Sequence, residues 1–166
     1  IISPFLADCI PADDLRAILA ETYAEFRHSA VAPLVQLRDN QWVLELFHGP
    51  TLAFKDVALQ LVGRLFDHVL TLRGQTANIL VATSGDTGGA AIDAFKSSQQ
   101  ASVFILYPHG RVSDVQRRQM TTVASPSVHC VAVEGTFDDC QAIVKALFND
   151  HRFRDGVGLA SVNSIN

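Results

Sequence analysis

Lys55 closes the string Phe47-His48-Gly49-Pro50-Thr51-Leu52-Ala53-Phe54-Lys55 and stands directly before a long helical pattern. A cation there meets the positive end of the helix dipole. Leu52, Ala53 and Phe54 give it an apolar approach. Both effects favour the uncharged amine, the form that condenses with a carbonyl to a Schiff base. The plainer alternative is a surface lysine that lies past Phe54 with its ammonium in water.

A second group is the loop Thr83-Ser84-Gly85-Asp86-Thr87-Gly88-Gly89, between an apolar strand run and a helical pattern. Open α/β sheets place ligands at that carboxyl edge. Gly85 and its neighbours let a ligand approach the backbone, and N–H groups at the helix start attract an anion. The spacing is neither a dinucleotide G-x-G-x-x-G nor a Walker loop. Asp86 would repel a phosphate, so a small carboxylate held by Ser84, Thr87 and backbone fits better. The alternative is a capped turn with Ser84 as N-cap. Arg111, after Pro108-His109-Gly110, falls on the same edge and is a better anion contact than Arg117 or Arg118, which read as a solvated helix face. Asn163-Ser164-Ile165-Asn166 reaches that edge too, as a ligand contact or as an ordinary strand-end turn. The histidines show no metal-ligand spacing, no metal site is expected, and no Ser-His-Asp set can be assembled.

The elements that must carry these groups follow from periodicity. Leu15, Ile18, Leu19, Tyr23 and Phe26 recur at helical spacing from Pro11 to Arg27, and two short apolar runs, Leu34 to Leu37 and Trp42 to Phe47, read as a hairpin. A helix follows over about Asp56 to Leu72. Its expected apolar stripe is Leu61, Val62, Leu65, Phe66, Val69 and Leu72, with Gln60, Arg64, Asp67, His68 and Thr71 opposite. Strand runs then begin at Ile79, Val103, Val128 and Leu159, separated by helical patterns. Ser113 with Gln116 spells a capping box, and Thr136 with Asp139 opens the next helix. Strict alternation implies parallel pairing. The expected fold is therefore α/β: an open parallel sheet with flanking helices, preceded by a helix and hairpin lead-in. Residues 1–75 would form the lead-in and lysine helix, and residues 76–166 a small α/β subdomain carrying the loop.

Composition narrows the function classes. The 166 residues are 48% hydrophobic and 18% charged, with a formal net charge of −4. That excludes disorder and argues against non-specific nucleic-acid binding. No run of about 20 apolar residues offers a membrane span. Cys9, Cys130 and Cys140 are too scattered for a disulfide framework or a zinc site, and without a visible signal peptide a cytoplasmic setting is expected. The chain opens at Ile1 without Met and stops at Asn166 after a strand pattern, so a piece of something longer is expected.

The twelve residues Glu45–Asp56 resemble the cofactor-lysine segment of threonine synthases. Thr83–Gly88, Ile105–Pro108 and Asn163–Asn166 resemble stretches of that family in the same order. The resemblance implies a fold-type II enzyme that uses pyridoxal 5'-phosphate to convert O-phospho-L-homoserine and water to L-threonine and phosphate. It implies Lys55 as Schiff-base lysine and proton shuttle, and Ser84, Gly85 and Thr87 as holders of the substrate carboxylate. Asp86 would sit beside the cofactor ring oxygen, where many relatives in the wider fold group carry Asn. Asn163, Ser164 and Arg111 would take the substrate phosphate. The family's later phosphate-cupping loop would lie beyond Asn166, so this chain alone is expected to lack turnover and to self-associate through uncovered apolar faces. Two alternatives stand beside this reading: a threonine-synthase-like phospholyase giving a 2-keto acid, and a non-catalytic ligand-binding module, against which the intact lysine argues.

Overall fold

The computed structural model describes residues 2–6 and 8–162. A single helical turn, α1 (Ser3–Leu6), leads to α2 (Ala12–Ala24), which turns Leu15, Ile18 and Thr22 inward and carries Asp13 and Asp14 in its first turn. The hairpin follows as antiparallel β1 (Leu34–Arg38) and β2 (Gln41–Leu44), with Leu34 opposite Leu44 and Asn40 in the left-handed region at the turn. Its second strand stops at Leu44, short of the expected Phe47. Leu34, Leu37, Trp42 and Leu44 are each more than half exposed.

Helix α3 (Asp56–Arg73) ends at Gly74, whose left-handed backbone closes the last turn. Alternation then takes over: β3 (Ala77–Ala82), α4 (Asp86–Phe95), β4 (Ala101–Pro108), α5 (Asp114–Thr121), β5 (Val128–Val133), α6 (Phe137–Asn149), α7 (His151–Gly156) and β6 (Leu159–Ala160). The strands form one sheet in the order β5-β4-β3-β6, every neighbour parallel. The α/β reading therefore holds. Both capping boxes form, at Ser113 with Gln116 and at Thr136 with Asp139.

Period-two alternation sorts the strand residues onto two faces. Ile79, Val81, Val103 and Ile105 are buried against Ala90, Ala91, Ile92 and Phe95 of α4, with Met120 and Leu59 closing that core. Leu80 and Leu106 face the other way and meet Cys140 of α6. Phe95 packs edge-on against Phe66 of α3, ring centroids 5.9 Å apart.

Three local expectations need correction. Helix α7 was not foreseen; Asp150 starts it by accepting the Phe153 N–H at 3.0 Å. Strand β6 has two residues, not four; after Ala160 the contact with β3 continues through the Ser161 hydroxyl, which donates to the Leu80 carbonyl at 2.7 Å. The third concerns α3, whose buried residues are Asp56, Leu59, Gln60 and Gly63, while Leu72 is 67% exposed. The helix is turned because it packs on α4 through its smallest residue. A Cβ on Gly63 would lie 2.5 Å from the Ala94 carbonyl oxygen. Gln60 then donates to Asp93 at 3.0 Å, so a polar residue can face inward. Val62, Phe66 and Leu70 touch the core from its edge.

That packing makes Gly63→Ala informative. Helix propensity alone would stabilise it by roughly 1 kcal/mol, but overpacking costs about 1–3 kcal/mol. A net loss in unfolding free energy is expected by urea denaturation. A raised midpoint would contradict the close α3–α4 approach.

Candidate active site

The loop before α3 is shaped around one carboxylate. Asp56 is fully buried, and its Oδ2 and Oδ1 accept from the Thr51 N–H at 2.8 Å and the Thr51 hydroxyl at 2.7 Å. This closes the turn over Gly49–Lys55, in which Leu52 takes a left-handed φ of 66°. Gly49 has no room for a side chain, since a Cβ there would run into Asp56. Burial pushes the Asp56 carboxyl above the ordinary carboxylate range, and Asp93 adds to the rise. The two Thr51 bonds and Gln60 pull the other way. Lys55 is fixed as the residue between this turn and the helix, its ammonium 4.2 Å from the centre of the Phe54 ring.

The second element is the carboxyl end of β3. Buried Thr83, not Ser84, caps α4: its hydroxyl oxygen accepts the N–H groups of Gly85 and Gly88, each at 2.9 Å. Gly85 has a φ of 148°, open to glycine alone, and a Cβ there would collide with the Gln116 side-chain amide. Gln116 also donates from Nε2 to Asp86 at 2.6 Å while closing the Ser113 capping box. The starts of α4 and α5 are thus tied together. With Thr83 capping the turn, the exposed Ser84 side chain is released from that duty.

These two elements meet across a cleft of about 550 Å³. Lys55, Phe54, Ser84 and Thr87 line it together with Phe137, Gln141, Val144 and Lys145 of α6. Its size is that of ordinary small-molecule pockets. Among the described residues, no aspartate or glutamate is part of its lining. A second, mainly apolar cleft of about 540 Å³ adjoins it at Phe54, Lys55, Ser161 and Val162, and is walled by Leu46, Leu59, Val62 and Phe66.

The sequence-selected residues divide accordingly. Lys55, Ser84 and Thr87 line one cleft. Gly85 shapes the turn and gives its N–H to Thr83. Asp86 faces Gln116, outside that lining. Arg111 is exposed at the sheet edge, also outside the lining. The exposed Asp139 carboxyl is held low chiefly by the Thr136 backbone N–H, with Arg111 as a lesser contributor. Asn163 and Ser164 lie outside the described residues. Gln141 and Lys145 were not singled out from the sequence; their spacing of four and eight residues from Phe137 was the signal that they share a helix face.

Comparison with known proteins gives consistent neighbours. The threonine synthase of Pseudomonas aeruginosa is 58% identical over 166 residues, covering 100% of this chain and 35% of that protein. A crystal structure of pyridoxal-phosphate-bound threonine synthase from Brucella melitensis superposes with a TM-score of 0.92 at 56% identity, over 100% of this chain and 36% of that one. Yeast threonine synthase gives a TM-score of 0.87 at 47% identity, over 96% and 33%. The chain thus spans about a third of the length of the relatives it matches. No protein-family profile matches it.

The buried Asp56 makes a pH prediction. With its pKa raised on folding, the folded state holds this proton more tightly than the unfolded state. The stabilising contribution is full below the ordinary aspartate range and is lost as pH rises through the raised pKa. Measured by urea unfolding from about pH 4 to about pH 7, the parent chain should lose stability relative to Asp56→Asn as pH rises. A constant or opposite trend would contradict the burial argument.

Proposed function

This chain belongs to the threonine synthase family, matching about a third of its members' length, and we propose that the protein carrying it converts O-phospho-L-homoserine and water to L-threonine and phosphate. The observation that supports this most is the meeting of Lys55, Ser84 and Thr87 in one cleft whose lining, among the described residues, holds no carboxylate. That donor set suits pyridoxal phosphate: an amine for its aldehyde, hydroxyls nearby, and no acid to repel its phosphate. Lys55 would hold the group. When bound, pyridoxal phosphate supplies an electron sink for negative charge at the substrate carbon that bears the amino group.

The chain's own residues supply the rest. Lys55 lines both the polar and the apolar cleft, where its amine would take and return protons. Thr83 keeps the α4 turn rigid, so Ser84 and Thr87 can present hydroxyls to a substrate carboxylate near a helix amino end. The apolar cleft beside Lys55 favours exclusion of water from the reacting atoms.

Product analysis with the complete gene product tests the proposal. O-phosphohomoserine should yield threonine and one phosphate per turnover, and Lys55→Ala should abolish the reaction while the far-UV circular dichroism is retained. A 2-keto acid and ammonia in place of threonine would indicate the phospholyase reaction and overturn the synthase reading. Full turnover by Lys55→Ala would contradict the lysine's role.

A further inference from the structure

The chain has three lysines, Lys55, Lys96 and Lys145. Lys96 is ion-paired to Asp93 and is not part of the cleft lining. The other two line the same cleft, Lys55 from the loop before α3 and Lys145 from α6. Lys145 is exposed and has no ion-pair partner among the described residues, although the chain is acidic overall. Asp138 and Asp139 both stand in the first turn of that helix, and Asp139 is engaged by the Thr136 cap. The face that looks into the cleft reads Phe137, Gln141, Val144, Lys145: one apolar patch, one amide, one cation and no acid.

We propose that Lys145 is the cation that pairs with a phosphate monoester brought into the Lys55 cleft, with Gln141 one turn earlier as a neutral donor beside it. The assignment rests on the reading above and deepens it, since both the proposed substrate and the cofactor carry such a group. Lysine is suited to this as a compact point charge whose ammonium offers three donors to phosphate oxygens. Arg111, the cation first expected to do this, stands outside the lining, beside Asp139. A phosphate at Lys145 would also leave the α4 turn to the substrate carboxylate. Two anionic groups on one ligand would then have separate seats, one at the α4 turn and one on α6.

The test uses the complete, cofactor-loaded gene product and four proteins: the parent, Lys145→Met, Lys145→Arg and, as control, Lys96→Met. Inorganic phosphate affinity is read by calorimetry, cofactor affinity from the visible absorbance, and KM and kcat with O-phosphohomoserine. Lys145→Met should weaken a phosphate-bearing ligand by roughly 10–150-fold, the value of one hydrogen bond to a charged group. Lys145→Arg should recover most of it. Weaker inorganic phosphate binding and a raised KM, with kcat and cofactor affinity near the parent's, assign Lys145 to the substrate phosphate. Weaker cofactor binding with inorganic phosphate unaffected assigns it to the cofactor phosphate. Unchanged affinity for both, or an equal loss in Lys96→Met, overturns the proposal. If the parent does not turn over O-phosphohomoserine, the substrate reading fails, while phosphate calorimetry still decides the role of Lys145.

Discussion

The buried carboxylate of Asp56 is the constraint on which the site depends. It stands in the first turn of α3. Its hydrogen bonds from the Thr51 backbone and hydroxyl close a turn that would otherwise open. That turn holds Leu52 in a conformation costing about 1–3 kcal/mol. Hydrogen bonds contribute about 0.5–1.5 kcal/mol each net, so the two from Thr51 together offset it. The residue fixed by this exchange is Lys55, the immediate neighbour of Asp56.

A second clamp, chemically similar but on another element, faces it. The Thr83 hydroxyl satisfies two N–H groups at the start of α4, and Gln116 braces Asp86 from α5. Neither clamp uses a residue whose side chain would be wanted for a small anionic ligand. Thr51, Asp56 and Gln116 stay outside the cleft lining, and Thr83 enters it with its oxygen already accepting two bonds. The division between residues that hold the backbone and residues that face the cleft runs through both loops. It explains why Thr83 and Ser84, adjacent in sequence, do different things.

The alternation of strand and helix and both capping boxes were legible in the sequence because each depends on residues within a few positions. The face of α3 was not. Its orientation is decided by the fit of Gly63 to Ala94, 31 positions away, and by Gln60 finding Asp93. A hydrophobic stripe cannot reveal that a polar residue has a partner on the next helix. The bond from Gln116 to Asp86 was hidden for the same reason, since the two lie 30 positions apart. Lys145 escaped notice because a lysine on an amphipathic helix reads as solvated until the rest of the cleft is in view.

Placement of Lys55 at the junction of a polar and an apolar cleft is most directly tested by chemical trapping. The complete gene product would be incubated with pyridoxal phosphate, reduced with borohydride, digested and mapped by mass spectrometry. The cofactor-derived mass is expected on the peptide containing Lys55, at one per chain. Stoichiometric labelling at Lys96 or Lys145 instead, or labelling spread evenly over all lysines, would contradict it.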